Sequence, residues 1–321
     1  MSNEDGLSNG IAGISNFKGL VAAPFTPFTE DGDLNLPVID DYVNALVNDG
    51  VLGVFICGTT GEGVSMSVEE RKMVAAKWVE AGKDRLDAVV VHVGANCVRD
   101  SQTLASHAQE VGASAIAAMP PTFFRPATEE GVAKYLAEIG SAAPKLPLYY
   151  YHIPPLTGVH ICNERLLEVI DKDIPVPSFR GIKLTSYDMF DLGRCLIYGQ
   201  GKYHILYGQD EVILAAMTLG AESFIGSTFN YAGKLYNSVI RNYKNGNILK
   251  AREAQFRSQA FVTVIKNHLK TGVPFCSINK TVMALCGVNV GPARMPMGNM
   301  TKEQVTDLRK DLEEIGFFEW K

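Results

Sequence analysis

Short apolar runs alternate with amphipathic segments along most of this chain, and the alternation constrains the fold more than any other feature. Eight runs have the composition of buried β-strands: 19–23, 53–57, 87–93, 115–119, 148–152, 181–184, 204–207 and 223–226. The segments between them, such as 67–81, 101–111 and 128–142, carry apolar residues at the three- and four-residue spacing typical of helices. The strand-like runs are mostly continuously apolar, as expected when both faces of a sheet are buried. Eight strands, each followed by a helix, predict an α/β fold of the (β/α)8 TIM-barrel type.

A doubly wound α/β sheet is the alternative architecture. Its dinucleotide-binding form carries a G-x-G-x-x-G turn after the first strand, whereas Pro24-Phe25-Thr26-Pro27 follows the first strand here. The strand pattern stops near residue 235, and helical spacing continues in 247–270, 277–286 and 301–314. We therefore predict a flexible N-terminal extension at 1–16, a catalytic barrel at 17–235 and a C-terminal helical subdomain at 236–321.

Composition and charge narrow the classes of function. The 321 residues are 46% hydrophobic and 20% charged, with a net charge of −5. This is the composition of a soluble globular protein without the basic excess that attracts nucleic acid. The sequence has no run long enough for a membrane span and no secretory signal. The six cysteines are scattered, without C-x-x-C pairs, so we predict reduced thiols in a cytoplasmic protein.

Lys183 lies inside the sixth strand-like run, between Ile182 and Leu184. Alternate side chains of a strand point to opposite faces, so the lysine is predicted to face away from its two apolar neighbours. Burial disfavours the charged form of an amine, and a neutral amine can attack a ketone to form a Schiff base. Alternatively, only the stem of the side chain is buried and the ammonium group reaches water.

Other chemically active residues lie where strands are predicted to end, which is where (β/α)8 barrels carry their sites. The turn at 58–63, Gly-Thr-Thr-Gly-Glu-Gly, can direct N–H groups towards a carboxylate or phosphate, although it is also compatible with an ordinary tight turn. Tyr151 could be a core residue, the Asp210-Glu211 pair a helix N-terminus, and Ser227 a helix cap. Taken together, these groups suit a keto acid that carries hydroxyl groups and that reacts as a covalent imine. They are an amine, a phenol, an anion-binding turn, two acids and several hydroxyls. No metal-ligand spacing is present, so neither a metal nor a cofactor is predicted.

From about Gly19 to the C-terminus, the chain resembles the pyruvate-dependent class I aldolases of the dihydrodipicolinate synthase/N-acetylneuraminate lyase superfamily. The resemblance rests on five segments in order: 58–62 (GTTGE), 149–154 (YYYHIP), 181–183 (GIK), 208–211 (GQDE) and 226–228 (GST). It implies that Lys183 forms the Schiff base and that Tyr151 transfers a proton. It also implies that the substrate carboxylate binds Thr59 and Thr60, and that the sugar hydroxyls contact Thr185, Gly208, Asp210, Glu211 and Ser227.

Two local features separate the branches of this superfamily. The synthases carry an arginine two residues after the proline of Tyr-x-x-Pro, where this chain has Leu156. They also borrow a tyrosine from a neighbouring subunit, in a segment that here contains Phe123 and Phe124. Both differences from the synthases favour the sialic acid branch of the superfamily. Within that branch, the chain most resembles the members found in animals.

The resemblance implies reversible cleavage of N-acetylneuraminate to N-acetylmannosamine and pyruvate by a homotetramer. One alternative is a related aldolase for another 2-keto-3-deoxy sugar acid. Another is a catalytically silent barrel that binds keto acids, but binding alone requires neither Lys183 nor Tyr151.

Overall fold

Eight parallel strands close into one barrel in sequence order, with β8 pairing with β1. The structure is a computed structural model, and it describes residues 17–321. The strands are β1 (Gly19–Ala22), β2 (Gly53–Ile56), β3 (Ala88–His92), β4 (Ala115–Ala118), β5 (Leu148–His152), β6 (Phe179–Leu184), β7 (His204–Tyr207) and β8 (Ser223–Gly226). The predicted (β/α)8 barrel is confirmed, and the predicted extension at 1–16 lies outside the described residues.

Helices connect the strands on the outside of the barrel. They are α1 (Val38–Asn48), α2 (Val68–Gly82), α3 (Val98–Glu110), α4 (Glu129–Ala142), α5 (Pro154–Thr157), α6 (Asn163–Lys172), α7 (Met189–Ile197), α8 (Ile213–Thr218) and α9 (Phe229–Lys244). Local sequence explains several of their starts. Ser67 and Glu70 form a reciprocal capping box at α2, and the Thr128 hydroxyl accepts a hydrogen bond from the Gly131 N–H at α4.

The alternation of side chains along each strand divides the core into two layers. Ile182 and Leu184 of β6 belong to the layer between the barrel and its helices. The barrel interior is a second apolar cluster that includes Val21, Phe55 and Tyr151. Lys183 points into this interior, as the strand period predicts.

Four further helices follow the barrel: α10 (Ile248–Leu269), α11 (Phe275–Leu285), α12 (Lys302–Glu314) and α13 (Phe317–Trp320). Gln255 and Gln259 of α10 donate to the backbone carbonyls of Asp210 and Glu211, at 3.4 and 3.0 Å. These bonds hold α10 against the C-terminal end of β7, beside the barrel mouth. The helical C-terminal region is confirmed, whereas the domain division at residue 235 stays a prediction, and α9 runs across that position. Within residues 17–321, no helix has both the length and the apolar character needed to cross a bilayer.

Candidate active site

The C-terminal ends of the strands open into a cavity of about 470 Å³ that α10 and α11 border on one side. Every residue predicted from the sequence to belong to the site lines this cavity, namely Thr59, Thr60, Tyr151, Lys183, Thr185, Gly208, Asp210, Glu211 and Ser227. A wider, more open depression of about 910 Å³ lies among the outer helices and includes Met73 and Lys83 in its described lining. None of the predicted site residues is in the lining described for that depression.

The Lys183 amine lies between two aromatic rings inside the barrel. Its Nζ is 3.8 Å from the centroid of the Phe55 ring and 3.9 Å from that of Tyr151. The side chain is 4% exposed. Burial lowers the pKa of Lys183 to about 7, although the negative charge of Asp210 opposes the effect. A substantial neutral fraction of the amine is therefore present near neutral pH.

Tyr151 is the partner of Lys183 in the register between β5 and β6, so both side chains enter the interior at the same level. The Tyr151 hydroxyl lies 3.3 Å from Oγ1 of Thr59. Burial raises the pKa of Tyr151 to about 12, and the contact with Thr59 partly opposes this increase. The phenol is consequently protonated at neutral pH.

Two glycines make room for polar side chains in the cavity wall. A Cβ at Gly208 would lie 2.1 Å from Oγ1 of Thr185, and a Cβ at Gly226 would lie 2.1 Å from Oδ1 of Asp210. Oγ1 of Thr185 is buried and has no hydrogen-bond partner among the described residues. An unpaired buried hydroxyl that lines a cavity is available to a bound molecule.

Asp210 is a buried carboxyl group held from one side. Both the N–H and the hydroxyl of Thr228 donate to its Oδ2, at 2.9 and 2.6 Å. Burial raises the pKa of Asp210 to about 7, against the effect of the hydrogen bonds from Thr228. Asp210 and Lys183 therefore titrate in the same pH range.

The turn that follows β2 has the features of an anion-binding loop. Among the hydrogen bonds of residues 17–321, none uses the backbone N–H of Thr59 or Thr60 as a donor. A Cβ at Gly63 would lie 1.9 Å from the Cys57 carbonyl oxygen, so the tight turn requires glycine there. Free N–H groups next to two threonine hydroxyls suit a carboxylate.

A buried ion pair holds this turn against the C-terminal helices. Nζ of Lys280, on α11, lies 2.6 Å from Oε1 of Glu62, and both side chains are almost completely buried. Lys280 also donates to the carbonyls of Thr26 and Pro292, each at 2.8 Å. The Arg294 N–H donates to the second Glu62 oxygen at 2.9 Å. The loop carrying Thr59 and Thr60 is thus tied to the region after the barrel.

Two strand histidines, His92 and His152, are buried in structural surroundings. Nε2 of His92 accepts a hydrogen bond from the Met119 N–H at 3.1 Å, which leaves Nδ1 to donate to the Cys57 carbonyl at 3.1 Å. Burial holds the pKa of His92 well below its ordinary value. Burial also lowers the pKa of His152 to about 4. Both rings are neutral at neutral pH.

Sequence reasoning gave no role to several residues that complete the site: Glu62, Tyr187, Thr228, Lys266 and Lys280. Lys280 is buried on α11 together with Ile278, Val282 and Met283, a burial that the spacing of apolar residues does not reveal. Lys266 and Tyr187 gave no local signal either, since they lie on partly exposed elements whose contacts with Glu211 depend on the closed barrel.

Comparisons with known proteins agree with this geometry. A sequence model described as "Dihydrodipicolinate synthetase family" matches residues 16–315. The chain belongs to this family. It is 42% identical to the N-acetylneuraminate lyase of Rattus norvegicus over 302 residues, which cover 94% of this chain and 93% of that protein. Identity to the Homo sapiens N-acetylneuraminate lyase is 41% over 303 residues, with the same coverage of the two chains.

Solved structures give the same relationship. The Proteus mirabilis N-acetylneuraminate lyase superposes with a TM-score of 0.87 at 36% identity, covering 94% of this chain and 99% of that one. The sialic acid aldolase of Aliivibrio salmonicida has a TM-score of 0.87 at 34% identity, covering 94% and 97%. These matches confirm the resemblance that the sequence motifs indicated, including its sialic acid branch.

Proposed function

We propose that this protein is a class I aldolase that cleaves N-acetylneuraminate reversibly into N-acetylmannosamine and pyruvate. The observation that carries the proposal is the buried amine of Lys183, whose pKa of about 7 leaves it partly neutral beside Tyr151 and the anion-binding turn. The matches to N-acetylneuraminate lyases over 94% of the chain support the choice of substrate.

The first step joins the enzyme to the open-chain form of the substrate. Thr59 and Thr60 bind the carboxylate at C1, which places the C2 ketone next to Lys183. The neutral amine attacks C2, and the resulting carbinolamine takes up a proton at its hydroxyl group and loses water to give a protonated imine. The cationic imine then serves as the electron sink for cleavage.

Cleavage breaks the bond between C3 and C4. The C4 hydroxyl loses its proton as the aldehyde forms, and the bonding electrons move through C3 into the imine to give an enamine. Tyr151 takes part in this proton transfer. Its pKa of about 12 leaves almost none of the phenol ionised at neutral pH, but a neighbouring iminium charge favours the phenolate. The Thr59 hydroxyl and the substrate carboxylate are the groups that can assist Tyr151 in removing the proton from the C4 hydroxyl.

The remaining steps release both products. N-acetylmannosamine leaves, the enamine takes up a proton at C3, and water hydrolyses the imine to free pyruvate and restore the Lys183 amine. Thr185, Gly208, Asp210, Glu211 and Ser227 contact the sugar in this scheme. Within the described residues, no group of three or more His, Cys, Asp or Glu side chains is arranged to hold a metal ion, and the imine performs the electron withdrawal that a metal would otherwise supply.

Two measurements test the proposal. Purified protein is incubated with N-acetylneuraminate, and pyruvate is measured with a coupled enzyme; another 2-keto-3-deoxy sugar acid serves as the competing substrate. Borohydride reduction in the presence of pyruvate is then followed by peptide mapping, which should place the label on Lys183. A label on a different lysine, or preference for the other sugar acid, contradicts the proposal.

We also propose that the protein is a cytoplasmic homotetramer, as its resemblance to the family implies. All six cysteines are free, which accords with a reducing compartment. Light scattering coupled to size-exclusion chromatography measures the number of subunits, and a dimer or monomer at working concentration would contradict the tetramer.

A further inference from the structure

Three side chains from separate elements meet at the mouth of the cavity. Glu211 follows β7, Tyr187 lies between β6 and α7, and Lys266 is on the last turns of α10; all three line the cavity. The Tyr187 hydroxyl donates to Oε1 of Glu211 at 2.5 Å, and Nζ of Lys266 lies 3.0 Å from the same oxygen. We define these three residues as the rim cluster.

The rim cluster leaves one oxygen of Glu211 unoccupied. Both donors converge on Oε1, and no hydrogen bond among residues 17–321 reaches Oε2. The Gln259 amide holds the backbone of Glu211 through its carbonyl at 3.0 Å. The carboxylate is therefore fixed in position by its partners, and one acceptor oxygen is available to a ligand in the cavity.

The polar groups along the cavity differ in their exposure to solvent. Lys183 and Asp210 are buried, whereas Glu211 is half-buried and Lys266 is exposed. A substrate attached to Lys183 through its keto-acid end extends outwards past Asp210 towards Glu211. The rim cluster is then positioned to meet the hydroxyl groups at the far end of the molecule, and pyruvate, which ends at C3, carries no such hydroxyl groups.

We infer that Lys266 and Tyr187 are positioning residues that set the specificity for a long polyol substrate by holding the Glu211 carboxylate. This inference rests on the proposed function. Neither residue touches the reacting carbons; each acts through Glu211. A carboxylate fixed by two donors on one oxygen presents the other oxygen to hydroxyl groups with little loss of side-chain freedom on binding.

The condensation direction separates the two ends of the substrate. Pyruvate supplies the imine end and N-acetylmannosamine the distal end, so KM is measured for each in the same assay. Lys266→Met keeps an unbranched side chain, shorter by one atom, and removes its charge. It should raise KM for N-acetylmannosamine about tenfold, the usual scale for a hydrogen bond to a charged group, and leave KM for pyruvate and the pyruvate-dependent labelling of Lys183 unchanged.

Matched variants test whether Lys266 acts on substrate affinity through Glu211. Lys270→Met removes the same charge one turn further along, where Nζ contacts only Asn267 among the described residues, and should change neither KM. Lys266→Arg should restore most of the affinity for N-acetylmannosamine. In a Glu211→Gln background, Lys266→Met should cause little further loss, because the two residues act as a unit.

The outcomes distinguish this inference from the proposed function. If the wild-type protein condenses the two substrates but Lys266→Met leaves both KM values unchanged, or raises them equally, the role of the rim cluster is wrong and the proposed function stands. Additive losses from Lys266→Met and Glu211→Gln also overturn it. If the wild-type protein does not use N-acetylmannosamine, the proposed function fails and the inference falls with it.

Discussion

Replacing Asp210 with asparagine tests how Lys183 obtains a neutral amine. Burial lowers the pKa of Lys183 from 10.5 to about 7, while the Asp210 charge acts in the opposite direction. A change of this size corresponds to about 5 kcal/mol of preference for the neutral form. At about pH 7, roughly half of such amines are neutral, compared with about 0.03% for an ordinary lysine.

The pH dependence of imine formation follows from these values. Attack requires the neutral amine, so the rate rises with pH through the pKa and then levels off. For a pKa of about 7, the neutral fraction rises about tenfold between about pH 6 and pH 8, whereas an ordinary lysine gains about a hundredfold over the same interval. The pKa of Asp210 is also raised to about 7. The bend in the wild-type pH profile therefore reports the coupled titration of Lys183 and Asp210, and not that of the lysine alone.

In Asp210→Asn, the lysine titrates without a neighbouring negative charge. The ammonium form loses that stabilisation, so we expect the bend to move to lower pH by about one unit, the lower end of the effect of an opposite charge. Asparagine retains an oxygen that can accept from Thr228, which holds Oδ2 of the native carboxyl at 2.9 and 2.6 Å. The geometry of the cavity wall should therefore change little.

The assay mixes enzyme with pyruvate for short times at different pH values and quenches every sample into borohydride at one fixed pH. Mass spectrometry of the intact protein then gives the labelled fraction, and the Lys183→Ala variant sets the background. A rate that climbs tenfold per pH unit up to about pH 9 would show that burial does not lower the pKa. A bend that moves to higher pH in Asp210→Asn would refute the assigned sign of the interaction.

Further predictions concern the other groups of the site. Tyr151→Phe should lower kcat by about 10²–10⁴ with an unchanged circular dichroism spectrum; near wild-type kcat would assign the proton transfer to another group. Gly208→Ala, whose Cβ would lie 2.1 Å from Oγ1 of Thr185, should raise KM for the sugar acid about as much as Thr185→Val does, and the double variant should show no additional loss in steady-state kinetics. Lys280→Met should cost about 3–5 kcal/mol in denaturant unfolding because Glu62 is left buried without its partner; a change below about 1 kcal/mol would contradict that. Activity should survive exhaustive chelation, and a large loss restored by a divalent ion would reject the metal-independent route.

The sequence alone was sufficient to predict the barrel architecture, because the patterns that predict strands and helices are local. Strands and helices follow from the spacing of apolar residues, which neighbouring positions determine, and the capping box of Ser67 and Glu70 sets a helix start within four residues. Placement of Lys183 on the inner face needed only the two-residue period of a strand. Residues at the ends of parallel strands necessarily converge at one end of a barrel, so the candidate site could be listed before any distance was known.

The tertiary structure alone decided which side chains touch and how strongly the site shifts their pKa values. Thr228 holds Asp210 across 18 positions, and Lys266 reaches Glu211 across 55. Contacts of this kind exist only when the barrel has closed and α10 has packed beside its mouth, so no local pattern encodes them. Desolvation also depends on all surrounding chain segments, and for this reason the sequence could identify Lys183 as a candidate nucleophile but could not give the pKa of about 7 that its burial produces.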